Sequence, residues 1–171
     1  MTQIACPIEE ALARKYPEPV VLVTTRDHDG RANVMAAAWV CFASSEPWMF
    51  LLGIDAGART YEVIVRTRQF VVAFPHEGMG RETLYAGTNH GHATDKFKET
   101  GLAMQDASVV RAPLVRDAVA NFECELVEIY QPGDCPLIAG KVVAAHANRD
   151  ADLRRLCLVG PDYRLGGLRP A

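Results

Sequence analysis

The chain has 171 residues, a formal net charge of −3, and a composition that is 49% apolar and 23% charged. That length buries a full core as one domain, 1–171, without a disulfide framework or structural metal, and the composition excludes a long disordered or collagen-like chain. The near balance of charge, with no basic stripe, argues against a binder of nucleic acid or anionic membrane.

Pro7 to Tyr16 reads as a short helix, with Glu9 and Glu10 in its first turn, Arg14 and Lys15 in its last, and Ile8, Ala11 and Leu12 on one face. Pro19 to Thr25 is a β-rich run ending at a turn, Asp27-His-Asp-Gly30. Ala32 to Ala43 is the next strand and ends at Ser44-Ser-Glu-Pro47. Trp48 to Ile54 follows it, so the tight turns suggest an antiparallel meander. The apolar stretch Val34 to Phe42 inside this meander is too short to cross a bilayer as a helix, and the first ten residues lack the basic and apolar regions of a signal peptide.

Thr60 to Thr67 predicts a helix with Thr60 as its cap, and Gln69 to Phe74 a strand. Gly78 to Asp106 is mixed, with a short polar helix through Asp95-Lys-Phe-Lys-Glu99. Asn121 to Tyr130 and Leu137 to Ala147 form a hairpin across Gln131-Pro-Gly-Asp134, Arg149 to Leu156 suits a helix, and Asp162 to Ala171 reads as a loose tail. Six strands and about four short helices make a mainly β fold, a closed barrel with helical insertions. Five cysteines at irregular spacings, with no C-x-x-C pair, indicate reduced thiols in a cytoplasmic protein rather than a secreted scaffold.

No Rossmann fingerprint, P-loop, nucleophile elbow or H-E-x-x-H motif is present. Three local features carry chemistry. Met35-Ala-Ala-Ala38 places small side chains on a strand, which leaves a slot for a flat ligand or packs a helix closely. Gly57-Ala-Arg59-Thr60 opens a helix with a guanidinium, a hydroxyl and free N–H groups, suiting a phosphate or carboxylate, or serving as an ordinary helix start. Thr88-Asn-His-Gly-His92 collects donors on a loop, with Lys96 a turn later. These suit an anion or a plain surface loop better than a metal, for which no third ligand is near in sequence. Cys135 has no basic neighbour in sequence to activate its thiol.

In order along the chain, five stretches resemble the flavin-reductase-like FMN-binding family, in particular its flavoredoxin-type branch. They are Val21-Leu-Val-Thr-Thr25 with Asp29-Gly30; Asn33-Val-Met-Ala-Ala-Ala-Trp39 with Ser44 and Pro47; and Arg59-Thr-Tyr-Glu-Val-Ile64 with Phe70-Val-Val72. The fourth is Gly87-Thr-Asn-His-Gly-His-Ala-Thr-Asp-Lys-Phe97 with Thr100-Gly-Leu102 and Ala112-Pro113, and the last is Glu123-Cys124 with Gly133-Asp134 and Gly140-Lys-Val142. The resemblance covers about residues 17–147.

It implies an FMN-binding split β-barrel, a homodimer with the flavin near the subunit interface, and hydride transfer from NADH or NADPH to the flavin. The isoalloxazine would lie against Ala36, Ala37 and Ala38, with Asn33 at its polar edge and Met35, Trp39 and Ser44 among the cofactor contacts. Arg59 and Thr60 would hold the phosphate, helped by Asn89, His90, Gly91, His92 and Lys96. Such chemistry needs orientation and stacking rather than a catalytic acid–base pair, so no catalytic residue and no metal is expected, and a partner oxygenase or other acceptor would take the electrons.

Three positions depart from the family's pattern. Ala73 stands where an Asn is common. His90-Gly91-His92 replaces Ser-Gly-Arg and exchanges a permanent charge for a pH-dependent one. Cys135 stands near a position where many members have a His on the nicotinamide side. The alternatives are a non-catalytic FMN electron carrier or sensor, or a pyridoxamine-phosphate-oxidase-like oxidoreductase on the same barrel.

Overall fold

The computed structural model describes residues 2–168. In chain order it contains α1 (Ile8–Leu12), β1 (Glu18–Pro19), β2 (Val21–Arg26), β3 (Ala32–Ala37), β4 (Val40–Ser45), β5 (Trp48–Gly53), α2 (Arg59–Thr67) and β6 (Gln69–Phe74). A 3-10 turn (Glu77–Met79) then leads into α3 (Gly80–Thr88) and α4 (Lys96–Thr100). The chain continues through β7 (Met104–Gln105), β8 (Leu114–Val115), β9 (Ala120–Tyr130), β10 (Leu137–Ala147), β11 (Leu156–Gly160) and β12 (Arg164–Gly167).

Seven strands form one antiparallel sheet in the order β3-β2-β6-β9-β10-β5-β4. Its two outermost strands, β3 and β4, are consecutive in sequence and are joined at Ala38–Trp39, so the sheet curls into a barrel that the chain itself closes while the two edges stay unpaired. A second, three-stranded sheet orders β1-β11-β12.

Alternation decides the layers. On β2, Val21 and Val23 point into the barrel with Phe50, Leu52, Phe70 and Ile138, while Leu22 points outward beneath α3 and α4 with Val34, Ala86 and Phe97. Both faces of β2 are therefore covered, which is why the strand reads as an unbroken apolar run. Helix α2 buries Thr60, Val63 and Ile64, and Ile64 reaches the barrel core.

The structure revises several local expectations. Helix α1 is only Ile8–Leu12, with Pro7 before its first residue, and it buries nothing: Ile8 and Leu12 are both exposed. The strand expected over Ala32 to Ala43 breaks after Ala37, and Ala38 carries the corner, its carbonyl accepting from Val40 N at 3.0 Å. Ala58, not Thr60, precedes α2.

The helix expected at Arg149 to Leu156 is a turn leading into β11. Asp150 N donates to Asn148 Oδ1 and Asp152 N to Asp150 Oδ1, both at 3.0 Å, and these side-chain contacts hold the backbone in turns in place of helix. The expected loose tail, Asp162 to Ala171, contains β12, which pairs with β11; residues 169–171 lie outside the described residues. Among the described residues no helix is long and apolar enough to cross a membrane.

Candidate functional site

Along the free edge of β3, between the start of α2 and the end of α3, lies a cleft of about 690 Å³. Four separated stretches supply its walls: Asn33 and Met35 from β3, Asp55 to Thr60 entering α2, Ala86 to Gly91 leaving α3, and Lys96 opening α4. A smaller apolar chamber of about 100 Å³ adjoins it, lined by Ala36, Ala37 and Ala38 with Val20, Leu158 and Leu165; the two share Gly87, Thr88 and Tyr163. Where the two hollows meet, small residues let α3 approach β3 closely: a Cβ on Gly87 would come within 3.2 Å of Ala36 Cβ.

Helix α2 starts without a side-chain cap, so its first N–H groups open toward the cleft rim with no side chain to satisfy them. Arg59 is nearly buried, and its Nη2 donates to Asp27 at 2.9 Å, yet its Nε is buried without a partner. A buried orphan donor next to uncapped helix N–H groups is the chemistry that a phosphate oxygen completes.

Around it the charge is finely divided. Arg66 Nη2 also donates to Asp27 at 2.7 Å, and Glu62 meets Arg66 at 3.2 Å and His92 at 3.1 Å. The His28 N–H, then Arg66 and Arg59, hold the Asp27 carboxyl below its usual range against the opposing effect of burial. The His92 hydrogen bond, with Arg66 and Arg59, holds that of Glu62 down.

Behind this rim Asn33 Nδ2 donates to Thr60 Oγ1 at 2.9 Å, and both side chains are buried. Gly91 packs on the Asn33 amide so closely that a Cβ there would collide with it, and Arg31 Nη2 ties the Gly91 carbonyl at 2.9 Å. The loop's backbone is thereby held against β3. Lys96 is almost wholly buried and donates to the Ala86 carbonyl at 2.7 Å; burial pushes its ammonium down to about 8.

The structure thus brings Asn33, Met35, Arg59, Thr60, Asn89, His90, Gly91 and Lys96 together on one cleft, and Ala36, Ala37 and Ala38 onto its neighbour. His92 stands at the rim, held by Glu62. Three other candidates stand apart. Trp39 is 62% exposed on an outer groove with Val40 and Cys41. Ser44 lies within β4 and accepts from Glu46 N at 3.3 Å. Cys135 is half-buried beside Gly53, and burial, with Asp134 and Asp55, pushes its thiol up.

Sequence reading missed Asp27 as the partner of Arg59, because 32 residues separate them, and it missed Tyr163. An Asp beside His-Asp-Gly signals a turn, and nothing local reveals that its carboxylate also receives two guanidiniums.

The fold is a split β-barrel with an open polar cleft at a helix start. The chain belongs to the family described by the flavin reductase like domain, whose model matches residues 13–164. It is 32% identical over 180 residues to the FMN reductase (NADH) RutF of Methylorubrum populi, covering 99% of this chain and 86% of that one. It is 36% identical over 129 residues to an uncharacterized protein of Pyrococcus abyssi, covering 75% and 73%. Among solved structures it resembles the flavoredoxin of Methanosarcina acetivorans, with a TM-score of 0.87, 25% identity, and coverage of 100% and 94%.

Proposed function

We propose that this chain binds FMN across the two adjoining hollows and acts as a flavin reductase, taking a hydride from NADH or NADPH and passing electrons to a partner oxygenase or other acceptor. The observation that carries the reading is the orphan Nε of Arg59 beside the uncapped start of α2, a phosphate-shaped deficit on a cleft continuous with an alanine-lined chamber.

Arg59, the first N–H groups of α2 and the Asn89–Gly91 loop would hold the phosphate. Asn33 and Thr60, fixed to each other, would set the floor under the ribityl chain. Ala36 and Ala38 leave the ring a flat wall, and apolar Val20, Leu158 and Leu165 exclude water from it. Bound FMN supplies the hydride-accepting ring; the chain's own residues orient and desolvate it, which is the whole of the protein's part in such a transfer.

The relative named FMN reductase (NADH) supports this reading. A thiol at position 135, pushed up by burial with Asp134 and Asp55, favours the second reading, an FMN electron carrier without its own nicotinamide chemistry. We also propose a homodimer: Trp39, Phe42 and Trp48 leave an exposed apolar group around the unpaired β4 edge, which a second copy would cover.

Titration of the purified protein with FMN, followed by NADH or NADPH under anaerobic conditions, separates the readings. Binding with bleaching supports the reductase, binding without bleaching supports the carrier, and no binding of FMN overturns both. Light scattering reads the oligomeric state, and a monomer that holds FMN at micromolar concentration overturns the dimer.

A further inference from the structure

The β11–β12 hairpin turns at Asp162 and Tyr163, both with φ of +57°, and Arg164 N donates to Pro161 O at 3.3 Å across them. Two successive left-handed residues make the tight turn that Asn-Gly makes without strain. Asp tolerates the conformation. A Tyr does not, because its Cβ crowds the backbone, and a bulky residue held there is the kind of outlier from which a functional role is inferred.

The position explains the choice. Tyr163 borders the cleft with Arg59 and Thr60, the chamber with Ala36 and Ala38, and a third hollow on the outside with Lys15 and Trp39; among the described residues no other lines all three. Its side chain is nevertheless exposed, at 69%, so the ring is placed at the junction without being used to pack the core. Glycine at the same turn would remove the strain and leave the junction open.

We propose that Tyr163 is the displaceable cover of the flavin ring: a planar, amphipathic side chain held at the mouth of the alanine-lined chamber so that an isoalloxazine seated there is stacked on its free face until an incoming nicotinamide takes the place of the exposed phenol. The inference rests on the FMN reading above. A Tyr ring buries a large apolar area and stacks in offset geometry on another aromatic face, while its hydroxyl stays in water.

The test uses the opposed demands of the turn and the site. In Tyr163→Gly the left-handed strain is gone, so resistance to denaturant should hold or rise. Affinities for FMN and for riboflavin should both fall by about tenfold, and by the same factor, because the contact is to the ring and not to the phosphate. Tyr163→Phe should bind both flavins within about twofold of the natural protein. Tyr163→Asn, which also accepts the left-handed region, repeats the test should the Gly variant be poorly folded.

Unchanged affinity for both flavins in Tyr163→Gly makes the residue a turn element only and overturns the proposal. So does a loss confined to FMN, which would place the phenol on the phosphate. Failure of the natural protein to bind either flavin overturns the FMN reading itself, and this inference with it.

Discussion

Two buried carboxylates organise different parts of this molecule, and they are satisfied in opposite ways. Glu123, fully buried in β9, accepts from Ser108 Oγ and His146 Nε2 at 2.6 Å each and from the N–H groups of Ser108, Val109 and Val110 at 2.8, 2.7 and 2.8 Å. Every donor that faces it is used. Burial alone would raise its pKa, but the Ser108 hydroxyl, the Ser108 and Val110 N–H groups and His146 hold the carboxyl down to about 2. Asp27, by contrast, draws on Arg59 and Arg66 and still leaves Arg59 Nε without an acceptor. A closed account marks a residue that fixes the fold, here by pinning the 108–110 loop to the sheet. An open one marks a place where something else is meant to arrive.

The largest expected effect lies on the closed side. Glu123→Ala leaves five donors without their shared acceptor, buried Val110 and half-buried His146 among them, so denaturant unfolding should show a loss of ~3–5 kcal/mol. The natural protein should reproduce part of that loss in acid. Its Glu123 pKa is depressed on folding, so the stabilisation is complete above the unfolded-state value near 4.5 and disappears as pH falls toward about 2. A transition midpoint independent of pH over that window would remove Glu123 from this role.

On the open side, Arg59→Ala should weaken FMN by ~2–3 kcal/mol while riboflavin, lacking the phosphate, hardly changes. Equal losses for the two flavins would put Arg59 under the ring or in the fold. Next comes Lys96, whose ammonium is pushed down to about 8 in the free protein. A phosphate dianion nearby favours its charged form and raises that value, so FMN binding takes up a proton. Affinity should therefore fall as pH rises past about 8, by about tenfold across the titration, and Lys96→Met should flatten the profile. Riboflavin should show no such slope. The smallest effect should come from Asp27→Asn, which removes the competing charge: FMN should bind ~0.5–1 kcal/mol tighter, with riboflavin unaffected. Looser FMN binding in that variant would mean that Asp27 positions Arg59 more than it competes for it.

The sequence made legible what is local. The turn at Asp27 to Gly30, the strand Gln69–Phe74 and the hairpin strands Ala120–Tyr130 and Leu137–Ala147 follow from period-two patterning and turn residues. Asn33, Arg59, Thr60 and Lys96 each stand in a recognisable stretch, and the cleft brings them together. Helix α3 was not, since it buries only Thr83 and Ala86 and offers no apolar stripe. Strands β11 and β12 were hidden because the charged run before them suits a helix and their companion β1 lies near the other end of the chain. Tyr163 was hidden for the same reason: its importance comes from where the hairpin docks, and a Tyr in a tail carries no local signal.

The strand order has a kinetic consequence. In β3-β2-β6-β9-β10-β5-β4, the central β9–β10 hairpin is local, whereas its flanks, β6 and β5, arrive from the first half of the chain, with Leu137 opposite Gly53 and Phe70 opposite Cys124. Both flanks therefore pair across long stretches of chain, and folding has to close long loops onto that late hairpin. A barrel wired this way belongs with the slow folders, milliseconds to seconds, and not with helical bundles of similar stability. Substitutions in the turn 131–134 should accordingly slow refolding more than they hasten unfolding, while substitutions in β12, added at the rim, should do the reverse.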